Sequence, residues 1–290
     1  RDLHSFPTRR SSDLQLVKQN KKYVITGATS GIGNALARKL AARNTVFAGY
    51  RNKKHISALE KISPNIIPFY VNFEEKESPA RAADYIKSRT EQIDTLFNAA
   101  GCVIGGAMEN IDADDIRKQF EVNVFSHLEF SRNLMPLIKD KIINISSMAS
   151  FAVFPFVAPY CASKRSLDIL FNLMQIEISR KSSLKIISVK PGVIATPLWE
   201  KSIELNKKSM EKAKSDYGTE MEYIAETSRK NQKNGLNVDK AADLIIKIDS
   251  HKHPKTSYTI GLDAKIAGII SKLPRSEEHT SELQSPSWIS

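Results

Sequence analysis

"YVITGATSGIGNALARKLAAR", Tyr23 to Arg43, joins a short apolar run to an amphipathic stretch through three glycines. "YVIT" reads as a buried strand and "GNALARKLAAR" as a helix. Between them Gly27, Gly31 and Gly33, with Thr29, Ser30 and Ile32, form a turn that lets the backbone approach a ligand closely. Free N–H groups and the dipole at a helix N-terminus favour an anion there. Glycines at this spacing also serve plain turns. Their position between a strand and a helix, inside a βαβ unit, is what points to a dinucleotide pyrophosphate.

The same rhythm runs outward along the chain. "TVFAGY", "NIIPFYV", "DTLFNAAG", "KIINISS", "LKIISVKPG" and "TSYTIG" read as further strands, separated by amphipathic stretches. Near-continuous apolar strands alternating with helices predict a parallel sheet covered on both faces. "SPARAADYIKSR" reads as a helix capped by Ser78 with Pro79 at its first position. "DADDIRKQFEVNVFSHLEFSRNLMPLI" reads as one long helix, with Phe125 in the core, as is Phe171 further on. Residues 197–236 are polar, Lys-rich and helical in tendency, and are expected to lie as a substrate lid over the end of the sheet.

The chain has 290 residues, 41% hydrophobic and 26% charged, enough for one large soluble core. Cys102 and Cys161 give neither a disulfide framework nor a metal spacing, so a reducing, cytoplasmic setting is expected and no metal. No apolar run approaches the roughly 20 residues of a membrane span. The formal charge of +11 suits phosphorylated ligands, nucleic acid or an anionic membrane. Lysines in stretches such as "NKKSMEKAKSD" read as a solvated face. No nucleic-acid partner is expected, and peripheral membrane contact stays open. Residues 1–14 and 275–290 share no pattern with the rest and back-translate to sequences resembling a sequencing adapter. They are expected to be foreign to the fold, leaving residues 15–274 as a single domain. A natural leader or anchor stays open.

Two tyrosines carry a lysine four residues on: Tyr50 with Lys54 and Tyr160 with Lys164. Tyr50 ends the second strand, where an acid would bond the ribose 2′-hydroxyl of NAD. Arg51 comes next instead, and its forked donors suit the 2′-phosphate of NADP. NADP(H) is therefore expected over NAD(H), and the Tyr50–Lys54 pair falls at the adenosine end.

These motifs together resemble the short-chain dehydrogenases/reductases. The shared segments are "TGATSGIG" at 26–33, "NAAG" at 98–101, Asn123, "ISS" at 145–147, "YCASK" at 160–164 and "PGVIAT" at 191–196. The resemblance covers about residues 21–274, and "YCASK" with the tail "HPKTSYTIGLDAKIAGIISKLP" is most similar to the hydroxysteroid and retinol dehydrogenase branch. It implies an α/β fold: one Rossmann-type doubly wound parallel sheet of about seven strands, order 3-2-1-4-5-6-7. It implies hydride transfer between NADP(H) and a carbonyl or secondary alcohol, and a homodimer or homotetramer. An idle dinucleotide sensor or scaffold is the alternative. The catalytic set carried over is Asn123, Ser147, Tyr160 and Lys164. A phenol with pKa about 10 is a poor proton shuttle at neutral pH unless its anion is stabilised. Lys164, one helical turn on, is expected to lower it together with the charge of the oxidised nicotinamide and to hold the nicotinamide ribose, Ser147 to polarise the carbonyl, and Asn123 to kink its helix and hold a relaying water.

The same resemblance assigns Pro191, Gly192, Ile194 and Thr196 to the nicotinamide, and Asn98, Ala99 and Gly101 to the adenosine ribose. Asn72 and Phe73, after the third strand, fall by the adenine. Two positions depart from the family pattern: Ala99 replaces an asparagine that braces the sheet, and Asn72 replaces an acid. Phe151, Phe154, Phe156 and Trp199 flank the expected nicotinamide site and suit a small lipophilic alcohol or ketone, steroid-, retinoid- or acyl-ketone-like.

Overall fold

The computed structural model describes residues 20–271, apart from the side chains of Trp199, Glu200, Ser228, Asn231 and Gln232. The flanks 1–14 and 275–290, and the ends of the 15–274 domain, fall outside the described residues. The apolar runs become strands β1 (Lys22–Ile25), β2 (Thr45–Tyr50), β3 (Ile66–Tyr70), β4 (Ile93–Asn98), β5 (Ile138–Ile145), β6 (Lys185–Pro191) and β7 (Ser257–Ile260). All pair in parallel, in the order β3-β2-β1-β4-β5-β6-β7. This is the Rossmann-type doubly wound α/β sheet that the sequence implied.

Strand residues alternate between two cores, which is why the runs lack polar breaks. Tyr23, Ile25, Ile143 and Val189 face α1 (Gly31–Leu40) and α10 (Val238–Asp249), which contribute Leu36 and Ile245. Val24, Leu96, Ile142 and Ile186 face the other way. That side is closed by α3 (Ser78–Lys87), α5 (Ser126–Leu134) and α6 (Ala158–Ile178), through Ile86, Phe130 and Phe171. A short α2 (Ile56–Glu60) joins β2 to β3.

Two local readings change. Helix α3 already begins at Ser78, and Glu77 stands at the cap position without a side-chain bond. The Ser78 hydroxyl instead accepts from the Asn72 N–H at 2.8 Å. The long helix is not continuous: α4 (Ala113–Phe120) passes into a π turn over Glu121–Phe125 before α5. One extra residue in a turn rotates the helix beyond it by about 100°. Phe125 is therefore not core but 52% exposed, whereas Phe171 is fully buried.

The region from 197 folds as α7 (Leu198–Leu205), α8 (Lys207–Lys212) and α9 (Lys214–Asn234). Ser202 and Asn206 donate to the Val103 carbonyl, both at 3.1 Å, and Ser209 donates to that of Gly105 at 2.8 Å. These bonds stitch α7 and α8 to the loop that leaves β4. Among the described residues the last helix, α11 (Leu262–Ile270), comes directly after β7. Among the described residues no helix is long and apolar enough to cross a membrane.

Candidate active site

The glycine turn leaves β1 at the carboxyl edge of the sheet. Gly27 has a positive φ of 66°, and a Cβ there would stand 2.8 Å from the Ala100 backbone. A Cβ on Gly33 would stand 2.4 Å from the Gly27 carbonyl oxygen. Neither neighbour can move aside, so only glycine fits. The result is bare backbone at the start of α1, whose first turn carries no acid to repel a phosphate. Thr196 comes down on this turn from the far side, its Cγ2 3.4 Å from where a Cβ on Gly31 would be. These residues fit a dinucleotide.

Loop 98–101 is pinned from three sides. The Thr26 hydroxyl accepts from the Ala99 and Ala100 N–H groups at 3.0 and 3.1 Å. His127 meets the Ala100 carbonyl at 2.9 Å from within the core, where burial first, and Lys164 next, push its imidazole down to about 3. Asn98 is buried, and its amide donates to Ser131 and to Asn144 on the neighbouring strand, each at 2.8 Å. Asn98 itself thus braces the sheet beside Ala99, and its side chain points into the core rather than toward a ribose. Asn72 is likewise engaged, accepting from the Glu74 N–H at 3.2 Å and donating to Glu75 at 3.0 Å. Phe73 is buried edge-on against His127, with centroids 4.7 Å apart.

The four expected catalytic residues converge at the ends of β4, β5 and α6. Tyr160, Lys164 and Asp168 recur every fourth position and all lie on the buried face of α6. Lys164 Nζ sits 5.9 Å from the Tyr160 ring centroid and donates to the Ile145 carbonyl at 3.0 Å. Burial pulls its ammonium down to about 8, and the Asp168 carboxylate opposes this. Burial also pushes the Tyr160 phenol up to about 12, with the Ser147 hydroxyl partly offsetting it. Desolvation of the phenolate dominates this shift, and the groups that modify it are Ser147, Cys161 and Cys102. Ser147 accepts from the Ala149 N–H at 3.1 Å, capping a 3₁₀ turn, and keeps its own proton to donate.

Asn123 lies in the π turn with its amide fully engaged. Oδ1 accepts from the Cys102 N–H at 3.0 Å; Nδ2 donates to the Cys102 carbonyl and to Ser163, at 3.0 and 3.1 Å. Gly101 makes room for this, since a Cβ there would stand 3.4 Å from Asn123 Oδ1 and 3.7 Å from Lys164 Nζ. Sequence reasoning missed Asp168, which is buried and meets Lys190 of β6 at 3.0 Å. The four-residue stride from Tyr160 through Lys164 was the signal available for it. It also missed Asp263, whose carboxylate accepts from the Val193 N–H at 2.6 Å and crosses Gly192. The "PGVIAT" loop is fixed in this way from α11.

The aromatic loop diverges. Phe154 packs in the same small cluster as Tyr160, Val103 and Leu198. Phe151 faces Lys190, 5.8 Å from its ring centroid, and α11. Phe156 holds a φ of 63°, a conformation costing an aromatic residue about 1–3 kcal/mol, and turns toward α9 against Tyr217. It lines a cavity of 30 Å³ with Gly105, Asn206 and Met221. The Trp199 side chain lies outside the described residues. At the exit of β2, Arg51 is 64% exposed and ion-paired at 2.5 Å with Glu74, which also holds Lys118 at 3.0 Å.

Residues 21–207 match the sequence model of the short chain dehydrogenase family. The NADPH-dependent 3-dehydrocapnine reductase of Ornithobacterium rhinotracheale is 27% identical, over 82% of this chain and 87% of its own. Human 17-beta-hydroxysteroid dehydrogenase type 6 is 29% identical, over 89% of this chain and 86% of its own. A Burkholderia phymatum short chain dehydrogenase/reductase solved in complex with NAD superposes with a TM-score of 0.73 at 18% identity, over 91% and 95% of the two chains.

Proposed function

This chain belongs to the short-chain dehydrogenase family and is an NAD(P)-dependent oxidoreductase; from that premise we propose that it interconverts a lipophilic ketone and its secondary alcohol with NADP(H), using Tyr160 as the general acid and base. The observation that carries the reading is the buried Tyr160–Lys164 pair on one face of α6, beside the Ser147 hydroxyl. A dinucleotide held by the glycine turn and the "PGVIAT" loop would supply or accept the hydride at the carbonyl carbon. The chain's own groups handle the oxygen.

Ser147 donates a hydrogen bond to the carbonyl oxygen and places it against Tyr160. As negative charge develops there, the Tyr160 hydroxyl passes its proton across; in oxidation it takes one back. The Lys164 ammonium favours the phenolate that is left, all the more because water is excluded from the pair. Asn123 and Gly101 hold the Cys102 loop against Lys164 and act by position. Asp263 and Thr196 fix the "PGVIAT" loop over the glycine turn.

A lipophilic substrate is favoured by Phe154 and Leu198 beside Tyr160 and by a lid with apolar residues on its inner side. Arg51 favours NADP(H), and the NADPH-dependent relative agrees with it. The test is a panel of sterols, retinoids, acyl-ketones and small aldehydes with each of the four nicotinamide dinucleotides. Turnover of a lipophilic ketone with NADPH, faster than with NADH, is expected. Turnover confined to small hydrophilic aldehydes, or faster with NADH, would overturn the substrate or the cofactor reading respectively.

A further inference from the structure

One lid lysine reaches the cofactor side of the cleft. Lys201, on α7, donates from Nζ to the Ser30 hydroxyl at 3.2 Å, bridging 171 positions of sequence. Ser30 stands at the cap position of α1, yet its side chain makes no capping bond. Lys201 is therefore the partner the structure gives that hydroxyl.

A second observation places Lys201 more closely. His55, in the turn after β2, has its imidazole held below the ordinary range by burial, then by the positive charges of Lys54 and Lys201. Lys201 thus lies between the glycine turn and the exit of β2. In a doubly wound sheet the ribose 2′ position belongs in that gap. Arg51, the cation expected there, already shares Glu74 with Lys118. Among the described residues, neither Lys54 nor Lys201 has a carboxylate within ion-pair distance. Two lysines further along the segment differ, since Lys208 and Lys212 both close on Asp112, at 2.8 and 2.6 Å. Cations gathered without a counter-charge repel one another, and a dianionic phosphate between them removes that cost.

We propose that Lys201 is a ligand for the 2′-phosphate of NADP(H), so that the lid closes on the one group that separates NADP(H) from NAD(H). The proposal rests on the NADP(H) reading above and adds to it a residue from the opposite side of the cleft. The ammonium would meet the phosphate from the lid while Arg51 and Lys54 meet it from the sheet. Cofactor choice and lid position then become one equilibrium, because each favours the other.

Affinities of the full chain for NADPH, NADH and adenosine 2′,5′-bisphosphate, measured for wild type, Lys201→Met and Lys201→Arg, test this directly. Lys201→Met is expected to weaken NADPH and the bisphosphate about fivefold while NADH changes less than about twofold. Lys201→Arg is expected to recover most of the loss. Limited proteolysis within residues 201–234 supplies an independent readout. NADPH should protect that segment better than NADH in wild type, and the difference should vanish in Lys201→Met. Equal losses for NADPH and NADH, or no loss for either, would overturn the assignment. A wild type that binds NADPH no better than NADH would instead sink the NADP(H) reading beneath it. Normal NADPH preference in Lys201→Met would sink the Lys201 role alone.

Discussion

Tyr50 and Tyr160 each have a lysine four residues on, yet the chain builds two different objects from the same spacing. At Tyr160 the backbone is helical, so four residues make one turn and Lys164 stacks above the ring on the same buried face. At Tyr50 the strand is ending. The Asn52 side chain accepts from the Lys54 N–H at 3.0 Å, sets a tight 3₁₀ turn over Lys53–His55, and Lys54 is carried into solvent. Tyr50 packs edge-on against Tyr70 instead, with centroids 5.9 Å apart. Spacing becomes contact only through the intervening backbone, and contact becomes chemistry only when both groups leave water.

The sharpest way to break this comparison is to remove both phenols in turn. Tyr160→Phe keeps the ring and loses the proton, and the rate of ketone-dependent NADPH oxidation is expected to fall about 10³-fold. Tyr50→Phe should remain within about twofold of wild type, since nothing at the reacting centre touches it. A Tyr160→Phe enzyme turning over at the wild-type rate would refute the proton-transfer reading.

The next effect belongs to the outer region. Arg51→Ala is expected to weaken NADP(H) about tenfold while NAD(H) changes little, since a forked, charge-assisted contact to the 2′-phosphate is lost. Equal weakening of both dinucleotides in a binding titration would move Arg51 away from the 2′ position. Neither outcome should alter the pH dependence of the chemical step, which belongs to the inner pair.

That pH dependence is the third test. Lys164 has its proton affinity lowered to about 8, so raising the pH through that value removes the charge that favours the phenolate. Activity in the reductive direction should therefore decline on the alkaline side. The groups facing Lys164 are Tyr160 and Asp168 on its own helix, Cys102 beyond β4 and His127 on α5. Lys190 on β6 stands behind Asp168. Asp168 is the one that raises the lysine most. Asp168→Asn should lower the pH of the decline and cost about twofold in kcat/KM at pH 8. Because it also strands Lys190 in a half-buried site, Asp168→Asn/Lys190→Met is the companion variant. An unmoved profile in both would leave Asp168 as a partner of Lys190 alone.

Much of this was legible in the sequence, for a physical reason. Strands buried on both faces must be apolar throughout, so β1 to β6 announced themselves, and Gly27 and Gly33 sit where any Cβ would strike backbone. The Tyr160 helix was legible because its motif spans one turn. What escaped depended on phase or on distant partners. Phe125 reads as core in an unbroken helix, and one added residue in the π turn sends it outward. Asp168 with Lys190, Lys201 with Ser30 and Asp263 with Val193 join positions 22, 171 and 70 residues apart; the helical stride marks Asp168 itself, but no local pattern marks its partner or the other two pairs. The three loop phenylalanines share a stretch of six residues but face three different neighbours, because Phe156 takes a left-handed conformation.

The smallest expected effect is the most discriminating for the outer pair. Lys54 is exposed, and an exposed charge near a phosphate contributes little and is screened by salt. Lys54→Ala should therefore weaken NADPH by less than about twofold at low ionic strength, with the difference fading near 0.15 M salt. Its kcat should be that of wild type. Lys164→Met should lose kcat by a large factor at any salt, since its partner is buried and water cannot screen it. If Lys54→Ala lost turnover rather than affinity, the β2 exit would have to approach the reacting centre. Its place across the sheet from α6, with β1, β4 and β5 between β2 and β6, leaves no route for that.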